Sequence, residues 1–148
     1  MMIHIEYTPE NVKKVGDILR GVFDETLLPK RKWYNERYRE RKYFGLCYMA
    51  SAVMQDLFGK ENMYMIRAED PHGFFHWWNQ TRDGNRIDLT HEQYTTIGET
   101  PPYADGKKMG QFGFSSYKKQ KERLYARAEE KLRSEFGVSS DNLLDHIS

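Results

Sequence analysis

Cysteine is almost absent from this sequence: Cys47 is the only one in 148 residues. A single cysteine excludes an intramolecular disulfide and any zinc site built from several cysteines. There is also no long apolar run, so no membrane-spanning helix is predicted. Residues 1–10 lack the basic and apolar regions of a secretory signal, and we therefore expect a cytoplasmic protein.

Net charge is also low, because 23 Lys and Arg residues balance 22 Asp and Glu residues to give +1. This balance is not typical of a protein that binds polyanions through its overall charge. Aromatic residues, in contrast, are plentiful at 14% of the chain, which suits either a binding groove or a well-filled small core. The length predicts one domain over residues 1–148, large enough to fold without disulfides.

Capping residues and apolar spacing predict an α+β chain. Thr8 is the predicted N-cap of a first helix, and Pro9 takes the first helical position, where its missing N–H costs nothing. The pattern then predicts helices at 46–58 and 117–136, a helical turn from residue 91, strands at 62–68, 74–80 and 85–89, and a loop at 95–113. Because the strands follow one another without intervening helices, the order favours an α+β fold over alternating βαβ units.

Cys47 is the first candidate for chemistry, since it lies at the start of the helix predicted for residues 46–58. The N-terminus of a helix favours a thiolate, and its free N–H groups can stabilise an oxyanion beside the sulfur. A thiolate nucleophile needs a base, and the base needs a partner that orients it. His76 and Asp88, on two neighbouring predicted strands, are candidates for these two roles.

The loop between these strands decides whether His76 and Asp88 lie on one face of the hairpin. A two-residue loop at 83–84 would place them on opposite faces. A three-residue loop at 82–84, with Gly84 in the left-handed conformation, would set Trp78 opposite Asp88 and make His76 and Asp88 diagonal neighbours. In this second register the other face carries Phe75, Trp77, Ile87 and Leu89, which are all apolar. We favour it because a half-buried sheet requires that alternation.

Two blocks of the sequence resemble the YunG-like family. The first is Gly45-Leu46-Cys47-Tyr48-Met49-Ala50 with Gln55-Asp56-Leu57-Phe58-Gly59, and the second is His76-Trp77-Trp78-Asn79 with Gly84, Ile87-Asp88-Leu89-Thr90 and Gln93-Tyr94. The H-x-W and D-x-T pattern is also similar to that of transglutaminase-like and papain-like enzymes. The chain departs from the YunG-like pattern at Leu46, where glutamine is usual, so no side chain is assigned to an oxyanion hole.

The resemblance implies a papain-like or transglutaminase-like α+β fold, with the cysteine at a helix N-terminus packed on a small antiparallel sheet. It implies Cys47 as nucleophile, His76 as general base and acid, and Asp88 as the residue that orients His76. The predicted function is cysteine-dependent acyl transfer through a thioester on a protein or peptide amide, without a cofactor or metal. Leu46, Trp78 and Asn79 are predicted to contact the substrate.

The alternative function is a catalytically inactive module of the same fold that binds a protein or RNA partner. The basic and aromatic segment at 30–42, which includes Trp33, Tyr34 and Tyr38, could stack bases and hold phosphates. Glutamates within this segment and within the last helix are more typical of a solvated helix face, so nucleic acid is the less favoured partner. A metal site of Cys47, His72 and Asp88 is chemically possible but matches no compact zinc motif.

Overall fold

The computed structural model describes residues 2–137 and shows an α+β arrangement of helices around an antiparallel sheet. The helices are α1 (Pro9–Gly21), α2 (Lys32–Glu40), α3 (Cys47–Phe58), α4 (Glu92–Thr95) and α5 (Ser115–Glu135). The strands are β1 (Met63–Glu69), β2 (Phe75–Thr81), β3 (Arg86–Ile87) and β4 (Lys107–Met109). The C-terminal segment 138–148, for which the sequence suggests a short or frayed helix, lies outside the described residues. No helix within 2–137 is long and apolar enough to cross a bilayer.

Helix α3 lies at the centre of the fold. All of its residues except Asp56 are buried, as expected for a helix that is covered on every side. Met49, Val53 and Leu57 pack into the main core with α1 and α5. On another side, Tyr48 and Ala52 pack against Met65 of β1 and Trp77 of β2. The helix therefore joins the helical layer to the sheet, and its first residue is Cys47.

The sheet has the strand order β3-β2-β1-β4, with antiparallel pairing throughout. Asn79 pairs with Ile87 and Gln80 with Arg86, so the three-residue loop predicted between β2 and β3 is confirmed. Gly84 closes this loop with a φ of 88°, a left-handed conformation that glycine adopts without steric cost. The ladder ends at Ile87, and Asp88 just beyond it lies on the His76 side of the sheet, within hydrogen-bond distance of the imidazole.

Three elements differ from the sequence-based expectations. The segment 95–113 is not only loop, because it contains β4, which pairs with Met65, Ile66 and Arg67 of β1. Helix α2 forms within the segment 30–42 although none of its residues is buried. β3 has only two residues rather than five, because Asp88 and Thr90 leave the ladder to bond to each other.

Candidate functional site

Cys47 opens α3 after a tight turn. Gly45 has a φ of 85°, and a Cβ at this position would lie 2.6 Å from Cδ2 of Leu28, so only glycine fits here. The first helical N–H with an acceptor is that of Ala50, which donates to the Leu46 carbonyl at 3.1 Å. The N–H groups before it have no partner within the helix. Cys47 is the first residue of this helix, and its Sγ is 3.9 Å from the Phe75 carbonyl oxygen on β2.

His76 follows Phe75 and is completely buried. Its Nε2 lies 2.7 Å from Oδ2 of Asp88. The imidazole stacks on Trp78, with 5.6 Å between ring centroids, and contacts the Tyr94 ring at 4.8 Å. Its other nitrogen, Nδ1, is the only buried polar side-chain atom in residues 2–137 without a hydrogen-bond partner. The ring is thus held by the Nε2 hydrogen bond and two aromatic contacts, and it also interacts with Cys47.

The electrostatics of His76 favour its charged form. Burial opposes a positive charge and lowers the pKa of His76, but the hydrogen bond to Asp88 and the interaction with Cys47 act in the opposite direction. The balance raises the pKa of His76 from 6.5 to about 9. At neutral pH His76 is therefore charged and interacts with the Asp88 carboxylate and with Cys47.

Asp88 is held by more than His76. Its Oδ1 accepts a hydrogen bond from the Thr90 N–H at 3.1 Å, and its Oδ2 accepts one from the Tyr103 hydroxyl at 2.7 Å. The Asp88 side chain is only 5% exposed. Because each oxygen has a donor, the carboxylate is fixed in one orientation toward His76.

The residues predicted to contact a substrate are all buried in this structure. Leu46 has no exposed surface and packs in the main core. The Asn79 amide donates to the carbonyl oxygens of Ser51 and Tyr64, so its N–H groups are already used within the fold. Trp78 lies on the same face as His76, as expected, but is covered by Tyr103. In this conformation Leu46, Trp78 and Asn79 are covered by other parts of the fold and offer no open surface to a ligand.

A second buried polar cluster, not predicted from the sequence, lies beside His76. Arg41 Nη2 lies 3.7 Å from Oδ2 of Asp70, and both side chains are buried. The Tyr94 hydroxyl donates to the same Asp70 oxygen at 2.7 Å. Asp70 also accepts the N–H groups of His72 and Phe74, which fixes the turn that leads into β2. An aspartate before a Pro-x-Gly turn is typical of such a cap and was the signal available in the sequence.

The surface beside the site is aromatic. Phe75 is 50% exposed, and the Arg67 guanidinium stacks 4.3 Å from its ring centroid. Both residues border an open cleft of about 630 Å³ between the end of β1 and residues 104–107. On α2, the partly exposed Trp33 contacts Phe44 at 5.7 Å and Phe74 at 6.1 Å. The segments that lead into Cys47 and into His76 therefore meet beneath an aromatic surface.

The described residues offer no metal centre. Within 2–137, no three His, Cys, Asp or Glu side chains are grouped so that they could hold a metal ion. Nε2 of His72 lies 2.9 Å from the Glu99 carboxylate, and His72 is not grouped with Cys47 and Asp88.

Comparisons with known proteins give one match. Residues 11–136 match the family model described as YunG protein, which confirms the resemblance to YunG-like proteins seen in the sequence. No curated protein and no solved structure matches the chain. The relation to papain-like and transglutaminase-like enzymes stays a prediction.

Proposed function

The chain belongs to the YunG family, and we propose that it is a cysteine-dependent acyl-transfer enzyme of papain-like or transglutaminase-like arrangement. Cys47 is the nucleophile, His76 the general base and acid, and Asp88 the residue that orients His76. One observation carries the proposal: a fully buried imidazole bonds through Nε2 to Asp88, while Nδ1 has no partner and the ring interacts with Cys47. A buried polar atom without a partner is costly in a structure that serves stability alone.

The proposed reaction begins with attack of the Cys47 thiolate on the carbonyl carbon of an amide. The C–S bond forms, and the carbonyl π electrons move to the oxygen. When the tetrahedral intermediate collapses, the C–N bond breaks, and the leaving amine takes the proton from His76. In the second half, neutral His76 removes a proton from water or an amine, which attacks the thioester and releases Cys47. Water as acceptor gives hydrolysis, and an amine gives transamidation.

Backbone N–H groups at the start of α3 supply the oxyanion site in this proposal. The N–H of Cys47 lies one turn before the first hydrogen-bonded N–H of the helix, so it is free to donate. The partial positive charge of the helix N-terminus adds to the stabilisation of a developing oxyanion. The substrate is a protein or peptide amide, and no cofactor enters either half of the reaction.

Acylation by p-nitrophenyl acetate tests the proposal without knowledge of the natural substrate. We expect release of p-nitrophenol with a burst, and intact-protein mass spectrometry should show one acetyl group on Cys47. The variant Cys47→Ser should lose the burst. The variant His76→Gln should slow both acylation and deacylation, by about 100-fold or more if proton transfer limits them. An acetylation rate that is equal in wild type and His76→Gln would contradict the assignment.

A second candidate function is a binding module, favoured by the surface of α2. Trp33 is 42% exposed, and the guanidinium of Arg37 stacks 4.0 Å from its ring centroid. The same segment borders an open cleft of about 600 Å³, in which Lys30, Arg31, Lys32 and Arg39 outnumber Glu25 and Glu36. Cations next to an exposed indole suit an anionic partner such as single-stranded RNA.

Trp33 fluorescence separates the two candidate functions. A bound ligand can contact and quench Trp33, which is exposed, whereas Trp77 and Trp78 are buried. For a binding module, titration with single-stranded RNA should quench Trp33, more weakly at higher salt and not at all after Arg31→Glu and Arg39→Glu. If RNA does not quench Trp33 and Cys47 is acetylated, the two results together favour the acyl-transfer enzyme over the binding module.

A further inference from the structure

Tyr103 and His76 use the same oxygen of Asp88. The Tyr103 hydroxyl donates to Oδ2 at 2.7 Å, and Nε2 of His76 lies 2.7 Å from that atom. Oδ1 has its own donor in the Thr90 N–H. Two donors on one oxygen divide its negative charge, so each interaction is weaker than it would be alone.

The segment that carries Tyr103 is fixed closely over the sheet. The Tyr103 ring meets the Trp78 ring edge-on, with 5.2 Å between centroids. Three residues later, a Cβ on Gly106 would lie 2.6 Å from Cζ2 of Trp78 and 2.7 Å from Cγ2 of Ile66. The segment therefore approaches Trp78 and Ile66 so closely that only glycine fits at position 106. Directly after it, β4 pairs with β1. Tyr103 is thus held over the His76–Asp88 pair by packing as well as by its hydrogen bond.

Tyr103 is a donor under all ordinary conditions. Burial, and then the charge of Asp88, raise the pKa of its hydroxyl, so the proton stays on the oxygen. The Arg86 guanidinium lies 3.7 Å above the centroid of the Tyr103 ring. Its positive charge lowers the pKa of the hydroxyl, but by less than burial and Asp88 raise it. The hydroxyl therefore acts on Asp88 as a constant, neutral donor.

We propose that Tyr103 is a positioning residue that weakens the hold of Asp88 on the His76 imidazolium and so sets how readily His76 exchanges a proton. This inference rests on the proposed function, in which His76 must give a proton to the leaving amine and later take one from the acceptor. An imidazolium bound too tightly by Asp88 would be a poor acid in the first step and would rarely be neutral in the second. The titratable and charged groups around this pair come from several elements: Cys47, Arg86, His91, Tyr94 and Tyr103.

The variant Tyr103→Phe tests the inference because it removes the hydroxyl and keeps the ring over Trp78. Thr90 still holds Asp88, so the carboxylate should stay in place and bind His76 more strongly. We expect the pKa of His76, followed by NMR of the labelled imidazole, to rise by about half a unit to one unit. The pH profile for deacylation of acetylated Cys47 should move upward by the same amount. Tyr64→Phe is the matched control, because Tyr64 packs on the same face of the sheet without a contact to Asp88.

A rise of the His76 pKa in Tyr103→Phe but not in Tyr64→Phe supports the inference. An unchanged or lowered pKa in Tyr103→Phe would overturn it, since the hydroxyl would then have no such effect on Asp88. The NMR titration needs no turnover by Cys47. If Cys47 cannot be acetylated while the NMR shift is observed, the proposed function fails and the effect of Tyr103 on His76 remains.

Discussion

Two buried carboxylates belong to neighbouring clusters near His76, and they are held in different ways: Asp88 bonds to the His76 ring, and Asp70 bonds to Tyr94, which contacts that ring. Asp70 and Asp88 each accept a tyrosine hydroxyl at 2.7 Å, from Tyr94 and Tyr103 respectively, and each is paired with a basic side chain. The partner of Asp70 is Arg41, whose charge is permanent, and Arg41 also donates through Nε to the Gln93 carbonyl. The partner of Asp88 is His76, whose charge depends on pH and whose Nδ1 has no hydrogen-bond partner.

This difference separates a cluster that stabilises the fold from one that suits catalysis. The Asp70 oxygens also accept two backbone N–H groups, so the carboxylate fixes the turn before β2. In the Asp88 cluster, Nδ1 of His76 has no hydrogen-bond partner, and the His76 ring interacts with Cys47. Both clusters combine a largely buried aspartate, a tyrosine hydroxyl and a basic side chain, and they differ in the basic residue and in the His76 nitrogen without a hydrogen bond. We therefore expect the largest loss of stability from substitutions at Asp70 and the largest loss of reactivity from substitutions at Asp88.

The largest effect on stability is expected from Asp70→Ala. Arg41 would keep its charge in a buried position without its carboxylate, and the turn at 70–74 would lose its cap. We expect a loss of about 3–5 kcal/mol in the free energy of unfolding, measured by urea denaturation. As a control, Asp17→Ala removes an exposed partner of Lys13 and should cost less than about 1 kcal/mol. Equal losses in the two variants would show that the Asp70 cluster does not carry the stability assigned to it.

The next effect is the contribution that titration of His76 makes to the pH dependence of stability. Its pKa in the folded protein, about 9, lies above the ordinary 6.5, so the folded state binds the proton more tightly. The resulting stabilisation is complete below about pH 6.5 and disappears as the pH rises through about 9. It amounts to roughly 3 kcal/mol at most. Urea denaturation between these pH values should show the decline in wild type, and a decline of the same size in His76→Gln would contradict the account.

A smaller effect is expected from Gly106→Ala, which changes the surroundings of the Asp88 cluster and leaves the Asp70 cluster as it is. The added methyl group would collide with Trp78 and Ile66 and move the segment that carries Tyr103. We expect a loss of about 1–3 kcal/mol together with a changed pKa of His76. Gly110→Ala is the matched control, because a Cβ there meets nothing within 4 Å. If Gly106→Ala leaves both stability and the His76 titration as in wild type, Tyr103 is not positioned by this close packing.

The sequence predicts the parts of the site that depend on local geometry. The helix that begins near Cys47 follows from its apolar pattern and from Gly59, and the pairing of β2 with β3 follows from the length of the loop that ends in Gly84. Tyr103 could not be found in this way, because it reaches Asp88 from a Pro- and Gly-rich segment whose path depends on packing against Trp78. The burial of Arg41 could not be predicted either, because it depends on contacts with Asp70 and Gln93, which are distant in the sequence.

The shortness of β3 and the presence of β4 have the same kind of cause. An apolar and polar alternation over residues 85–89 predicts a longer strand, but the Asp88 carboxylate is used for His76, Thr90 and Tyr103, and the ladder ends before it. β4 has the sequence Lys-Lys-Met, which carries no strand pattern, and forms because β1 offers it a free edge. Tertiary contacts decide both elements.

The reaction of Cys47 with iodoacetamide as a function of pH tests the central claim most directly. A free cysteine, with a pKa of about 8.5, reacts slowly near pH 6, whereas a thiolate paired with imidazolium stays reactive there. We predict that native wild type reacts about tenfold or more faster than His76→Ala near pH 6, with Asp88→Asn in between. A slow reaction with the same rate in wild type and His76→Ala would contradict the account and favour the binding module.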